Sequence, residues 1–305
     1  MKNVIKITTV NFHPVWGCKE KNLDTMLGII EASAAEGSNL IVFPEMALTG
    51  YDEEVTEVPF KEKMQYRNAE VVPGTSTNKV GELTKKLGVY VVFGMPELDA
   101  TDPDIIYNSA CVCGPEGVIG SYQKIHLPYP EFHWATRGEK PFIFNTPWGP
   151  VGVAICYDSY SFPELTRYYA AKGCRINVNI TAYAKCHGDT LARATLEAYS
   201  AINDLYIVSS NLVGIDVSND FWGGSSILGP SIGDFGFEYY AGYPFAKKEG
   251  MIPAVYTATI DLGLATRKIF EPNEGIGGRC DYRPEIYKLL CEDLLKDPKF
   301  SGESA

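Results

Sequence analysis

The stretch Val151-Gly152-Val153-Ala154-Ile155-Cys156-Tyr157-Asp158 is an apolar run that stops abruptly at a thiol and a carboxylate. A short continuous apolar run reads as a strand buried on both faces. Phe162 to Lys172 then reads as a helix, with Pro163 in its first turn and Gly173 at its end. Two other strand-like runs end in a reactive side chain in the same way: Leu40-Ile41-Val42-Phe43-Pro44-Glu45, and Gly120-Ser121-Tyr122-Gln123-Lys124. In open α/β sheets ligands sit beyond the carboxyl ends of strands, so Glu45, Lys124 and Cys156 are placed to converge.

Working outward, β-branched runs alternate with amphipathic helices along the whole chain. Val4–Ile7, Leu40–Phe43 and Val89–Phe93 read as strands. They are separated by helices over Asn22–Glu36, closed by Gly37, and Thr77–Leu87, closed by Gly88. Paired strands without intervening helices follow, near Ile105–Cys113, Val118–Ile125, Phe142–Asn145 and Val151–Ile155. Beyond them come a strand at Ile176–Ile180, a helix at Thr190–Asp204, strands at Tyr206–Ser210, Ser226–Leu228 and Val255–Ile260, and a last helix after Pro284. No linker or charge run divides these elements, so a single α/β domain over residues 1–305 with mixed sheets is expected.

Composition narrows the function. Hydrophobic residues at 45% and charged residues at 21% suit a chain of 305 residues with a large core. A net charge of -11 repels nucleic-acid phosphates and anionic membranes, so neither is an expected partner. Met1 to Val10 reads as a first strand broken by lysines, not as a leader, and no apolar run approaches the ~20 residues of a membrane span; a cytoplasmic protein is expected. The eight cysteines are scattered, and most are expected to be buried and reduced. Cys111 and Cys113 form no C-x-x-C pair, the four histidines form no metal motif, and no glycine-rich phosphate cradle is present. Neither a metal nor another cofactor is expected.

The chemistry needs the trio. A thiol with a pKa near ~8.5 is mostly protonated at neutral pH and requires a base or a nearby positive charge. A carboxylate supplies the base, and an ammonium supplies field and oxyanion stabilisation. The turn after Cys156 also aims backbone amides at the thiol, which would lower its pKa further. His126 and His133 suggest a competing Cys–His pair, but His126 is better explained as structural, beside Lys124.

At these residues the chain resembles the nitrilase-like carbon–nitrogen hydrolase superfamily. The signatures are Phe43-Pro44-Glu45, the segment from Tyr122 through Lys124 and His126 to Leu127, and Gly152 to Glu164. Supporting segments are Pro73-Gly74, Tyr107-Asn108-Ser109-Ala110, Gly224-Ser225-Ser226 with Gly229-Pro230, and Tyr282-Arg283-Pro284-Glu285-Ile286-Tyr287. The resemblance implies an α/β fold, a four-layer αββα sandwich with two mixed β-sheets. It implies Glu45 as general base, Lys124 in the oxyanion site, Cys156 as nucleophile and Glu131 as a further carboxylate near the pocket. Tyr51, Trp134, Tyr157 and Tyr183 become candidate substrate-binding walls, and a homo-oligomer, dimer or higher, is implied.

Cys156-Tyr157-Asp158 is similar to the amidase and carbamoylase branches, whereas true nitrilases usually carry Cys-Trp-Glu. The resemblance therefore implies hydrolysis of a small carboxamide to acid and ammonia through a thioester. The alternatives are an N-carbamoyl amide hydrolase, a nitrilase, a thiol-dependent acyltransferase or a silent binding protein of the same fold. One departure matters: Ser159-Tyr160-Ser161 stands where amidases of α-keto acid amides carry an arginine. A hydroxyl cannot replace the bidentate guanidinium fork, so an anionic substrate is disfavoured unless Arg137, Lys185 or Arg193 compensates. Tyr199 to Asp204 also departs from the relatives' Arg-Ala-x-Glu-Asn run, which is expected to bear on packing.

Overall fold

Two six-stranded sheets carry the chain, and the strands they use are the apolar runs that the sequence marks. The computed structural model describes residues 3–233 and 236–301. The first sheet is ordered β14-β1-β2-β3-β4-β5, with β1 Val4–Asn11, β2 Leu40–Val42, β3 Tyr90–Leu98, β4 Ile106–Gly114, β5 Gly117–Gln123 and β14 Ala254–Asp261. β1, β2 and β3 run parallel, and the flanking pairs are antiparallel. The second sheet is ordered β13-β12-β9-β8-β7-β6, with β6 Phe142–Thr146, β7 Gly149–Ile155, β8 Ile176–Thr181, β9 Tyr206–Asn211, β12 Ser226–Pro230 and β13 Phe237–Gly242. Its centre, β7-β8-β9, is parallel. A two-stranded ribbon joins β10 Val213–Ile215 to β11 Asp220–Trp222.

Helices cover the outer faces. α1 Lys19–Ala35 and α3 Thr75–Leu87 lie on the first sheet, with the short α2 Met64–Asn68 between them in sequence; α5 Pro163–Ala171 and α6 Thr190–Asn203 lie on the second. The layers are therefore α, β, β, α, and both sheets are mixed, as expected. Leu23, Met26 and Ile30 of α1 and Val80 of α3 pack with Ile41, Phe43, Val91 and Phe93 of the sheet beneath. Each such side chain, fully buried, contributes about 1.5–3 kcal/mol. Gly37 (φ +90) and Gly88 (φ +70) close α1 and α3 in the left-handed conformation that a side chain would strain. The seam between the sheets is partly polar. Thr9 Oγ1 donates to the Ser209 carbonyl at 2.7 Å, and Ser210 Oγ to the Val10 carbonyl at 2.8 Å.

The helix read over Phe162 to Lys172 is present as α5, and a short helix that the sequence reading did not mark, α4 Tyr157–Ser161, begins directly after Cys156; the expectation for the cysteines is corrected. Phe162 breaks the path with an extended backbone, and Pro163 starts α5 at its first position, where no donor is lost. Burial accounts for only half of the cysteines: Cys111, Cys113, Cys156 and Cys174 are buried, Cys280 is half-buried, and Cys18, Cys186 and Cys291 are exposed.

The chain forms two compact units, Met1–Thr266 and Arg267–Ala305. The second carries α7 Pro284–Leu294 and α8 Pro298–Ser301. Among the described residues no helix is long and apolar enough to cross a membrane.

Candidate active site

Glu45 stands in a tight turn three residues beyond Val42, the last residue of β2. Gly94 of β3 makes this turn possible: its amide donates to the Pro44 carbonyl at 2.9 Å, and a Cβ there would meet the Met46 nitrogen at 2.2 Å. Lys124 is the residue after β5, and its backbone amide is held by the Asn108 carbonyl at 2.9 Å. These two carboxyl ends meet. Lys124 Nζ lies 2.7 Å from Glu45 Oε1 and 2.5 Å from Glu131 Oε1, and all three side chains are at most 1% exposed. Asn108 Nδ2 donates to both acids, at 2.7 Å to Glu45 and 3.1 Å to Glu131. The Ala182 amide, just past β8, holds Glu45 Oε2 at 2.7 Å, and the Tyr51 hydroxyl donates to Glu131 at 2.7 Å.

Cys156 enters from the other sheet. Its backbone has φ 48 and ψ -101, and its amide donates to the Ile180 carbonyl at 2.8 Å. A non-glycine residue held there stores about 1–3 kcal/mol, and such strain clusters at functional sites. The carbonyl of Cys156 accepts the Ser159 and Tyr160 amides, which starts α4. Asp158, fully buried in α4, is gripped by the segment around Lys124. The Tyr122 hydroxyl donates to it at 2.7 Å, the His126 amide at 2.9 Å, and His126 Nδ1 lies 2.8 Å away. The His126 ring stacks on Phe162 with centroids 3.6 Å apart. His126 thus ties the lysine strand-end to the cysteine turn and does not face the thiol as a base.

Charge sets the resting state. Burial works to lower the pKa of Lys124, but the charges of Glu131 and Glu45 more than reverse this and raise it. Burial, then repulsion from Glu45, raises Glu131 to about 7 against the pull of Lys124. The expectation for Cys156 is overturned. Burial first, and the charge of Glu45 next, push its thiol well up, and Lys124 offsets only part of this. A short helix start does not repay the loss of water around a thiolate.

Cys156 opens into a cavity of about 410 Å³ walled by Tyr51, Tyr129, Tyr157, Tyr160, Tyr183 and Phe221. Three of the four candidate walls are thus on it. Trp134 is not: it packs with Met46, Ile106 and Leu127, and borders a smaller cavity of about 260 Å³ on the Glu131 side. Tyr51 borders both cavities and is fixed through its backbone. Asp216 Oδ2 accepts the Tyr51 and Asp52 amides at 2.6 and 2.9 Å, and Asp52 in turn accepts the Val217, Ser218 and Asn219 amides. Sequence reading missed Asn108, Asp158 as an anchor, and this reciprocal Asp52–Asp216 clasp. Asn108 sits inside a quoted motif but mid-strand, where side-chain direction decides its role; the clasp joins residues some 165 apart and leaves no local signal.

The carbon-nitrogen hydrolase family model matches residues 6–266. The chain is 32% identical to a nitrilase of Pyrococcus abyssi over 229 residues, 74% of this chain and 82% of that one. It is 30% identical to the omega-amidase NIT2 of Danio rerio over 237 residues, 74% of this chain and 80% of that one. Among solved structures, an amidase of the nitrilase superfamily from Nesterenkonia AN1 superposes with a TM-score of 0.73 at 19% identity, covering 95% of this chain and 98% of that one. Saccharomyces cerevisiae Nit3 does so with a TM-score of 0.74 at 23% identity, covering 87% and 93%. The chain belongs to the carbon–nitrogen hydrolase family, and it is a hydrolase of the nitrilase superfamily.

Proposed function

We propose that the protein is an amidase that cleaves a small linear carboxamide to its acid and ammonia, with Cys156 as nucleophile. The observation that carries this reading is a strained, buried cysteine set beside an ammonium clamped between two buried carboxylates. Because the resting thiol is neutral, Glu45 takes its proton as sulfur attacks the amide carbon. Lys124 has three N–H groups and commits two to Glu45 and Glu131, which leaves one for the developing oxyanion. The proton on Glu45 then passes to the leaving nitrogen, the C–N bond breaks and ammonia departs. Glu45 next activates a water that hydrolyses the thioester, releasing the acid and restoring the thiol. Glu131, Asn108 and the Ala182 amide keep Glu45 and Lys124 in place.

Ammonia release from a panel of amides, carbamoyl amino acids and nitriles tests this. Amides should turn over, and Cys156→Ala should lower kcat by about 10³-fold or more. Activity that survives Cys156→Ala would remove the nucleophile, and turnover of nitriles alone would move the enzyme to another branch. The reading also expects a cytosolic homo-oligomer, which sedimentation of the intact chain would check. Exposed Ile286, Leu289, Leu290 and Leu294 at helical spacing on α7 support a partnered helix.

A further inference from the structure

We infer that the amide this site takes carries an uncharged, apolar acyl chain and not a second carboxylate. This rests on the amidase reading above and narrows its substrate class. The cavity at Cys156 is of a size to enclose a small organic molecule. Its walls are mostly aromatic rings with Pro128, Pro130, Ala182, Ala184 and the half-exposed Leu191; the polar residues on it are Ser161, Cys186, His187 and Asn219, and among the described residues no arginine, lysine, aspartate or glutamate lines it. The three cations that might have replaced the absent arginine are elsewhere. Lys185 is paired with Asp220 at 2.8 Å, Arg193 bonds Asp189 and Glu197 at 3.4 Å each, and the exposed Arg137 lies off the cavity wall.

A carboxylate brought into such a pocket would lose its water without gaining a guanidinium or ammonium partner, and the imidazole of His187 offers no bidentate fork in their place. It would also approach the charged cluster of Glu45 and Glu131, whose single ammonium is already shared between them. A methylene chain, by contrast, gains contact with the rings of Tyr51, Tyr129, Tyr157, Tyr160, Tyr183 and Phe221. Ser161 is the exposed residue on the wall nearest in sequence to the missing arginine, so it is the point where a cation could be restored.

The test uses the full-length enzyme and four amides: acetamide, hexanamide, the hexanamide analogue with a terminal carboxylate, and the analogue with a terminal ammonium. From kcat/KM for ammonia release, hexanamide should exceed acetamide at least about tenfold, and both charged analogues about 100-fold or more. Ser161→Arg, shown folded by circular dichroism, should raise kcat/KM for the carboxylate analogue about tenfold or more. A charged analogue or acetamide within threefold of hexanamide would overturn the inference, as would a folded Ser161→Arg with no gain. Turnover of amides with the wrong preference leaves the amidase reading intact. Failure of all four, with no acyl adduct on Cys156 by intact-mass analysis, overturns both.

Discussion

Cys156 is a nucleophile candidate that rests as a thiol, and this sets its reactivity. With its pKa pushed well above the ordinary value by burial and by Glu45, alkylation of Cys156 by iodoacetamide should keep rising through pH 9. The exposed Cys186 gives an internal comparison in the same mass-spectrometric time course. A Cys156 rate that levels off near neutrality would show a preformed thiolate instead. Lys124 has the opposite character: it rests charged, and the fold around it depends on that charge. Lys124→Met leaves Glu45 and Glu131 facing each other without water, and breaking a buried pair in this way costs about 3–5 kcal/mol. Urea unfolding at pH 7 should show that loss. It should shrink on acidification, because Glu131, which burial raises to about 7, takes up a proton in the folded variant and so relieves the repulsion. At this scale the sequence was legible where a polar residue closes an apolar run, as at Glu45, Lys124 and Cys156. It was silent on Asn108, whose neighbours in the strand give no sign of which way its amide points.

Among the elements, the turn after β2 is tightly determined. Gly94 lets β3 pass against it, and an added methyl would lie 2.2–2.6 Å from the backbone of Glu45 and Met46. Gly94→Ala should therefore cost about 1–3 kcal/mol, as overpacking does, and should cut kcat by more than tenfold through displacement of Glu45. A variant with lowered Tm and wild-type kcat would show that the turn tolerates the shift. Element existence was readable because β-branched runs and helical spacing persist, as in β8 and α3. α4 was not. Its five residues, Tyr157–Ser161, are too few for a period to register, and what fixes it is the grip of Tyr122 and His126 on Asp158, 32 residues and more away.

At the scale of the whole chain, the Asp52–Asp216 clasp joins a loop after the first sheet's β2 to the ribbon beyond the second sheet's β9. Burial raises Asp216 to about 6, with the charge of Asp52 adding to it and His13 opposing it. The unfolded chain loses this proton near the ordinary aspartate value, whereas the folded chain keeps it to about 6. Folding stability should therefore fall as pH rises from about 4 to 6, and Asp216→Asn should flatten that stretch of a Tm-against-pH curve. An unchanged slope would assign the pH dependence elsewhere. Neither the clasp nor the order of the two sheets was legible, because each is a pairing across the chain that local pattern does not encode. The division of the site between sheets has a consequence for the life of the protein. The carboxylate of Glu45, proposed as base, and the Lys124 ammonium are borne by one sheet, the thiol and the Ala182 amide by the other, so the proposed chemistry is a coincidence signal that only a mated sandwich emits. A chain whose two layers are not yet mated, or are no longer mated, would lack the site even where its strands and helices were formed. Activity should vanish ahead of far-ultraviolet dichroism on the way up in temperature, and a half-made enzyme can do no stray hydrolysis.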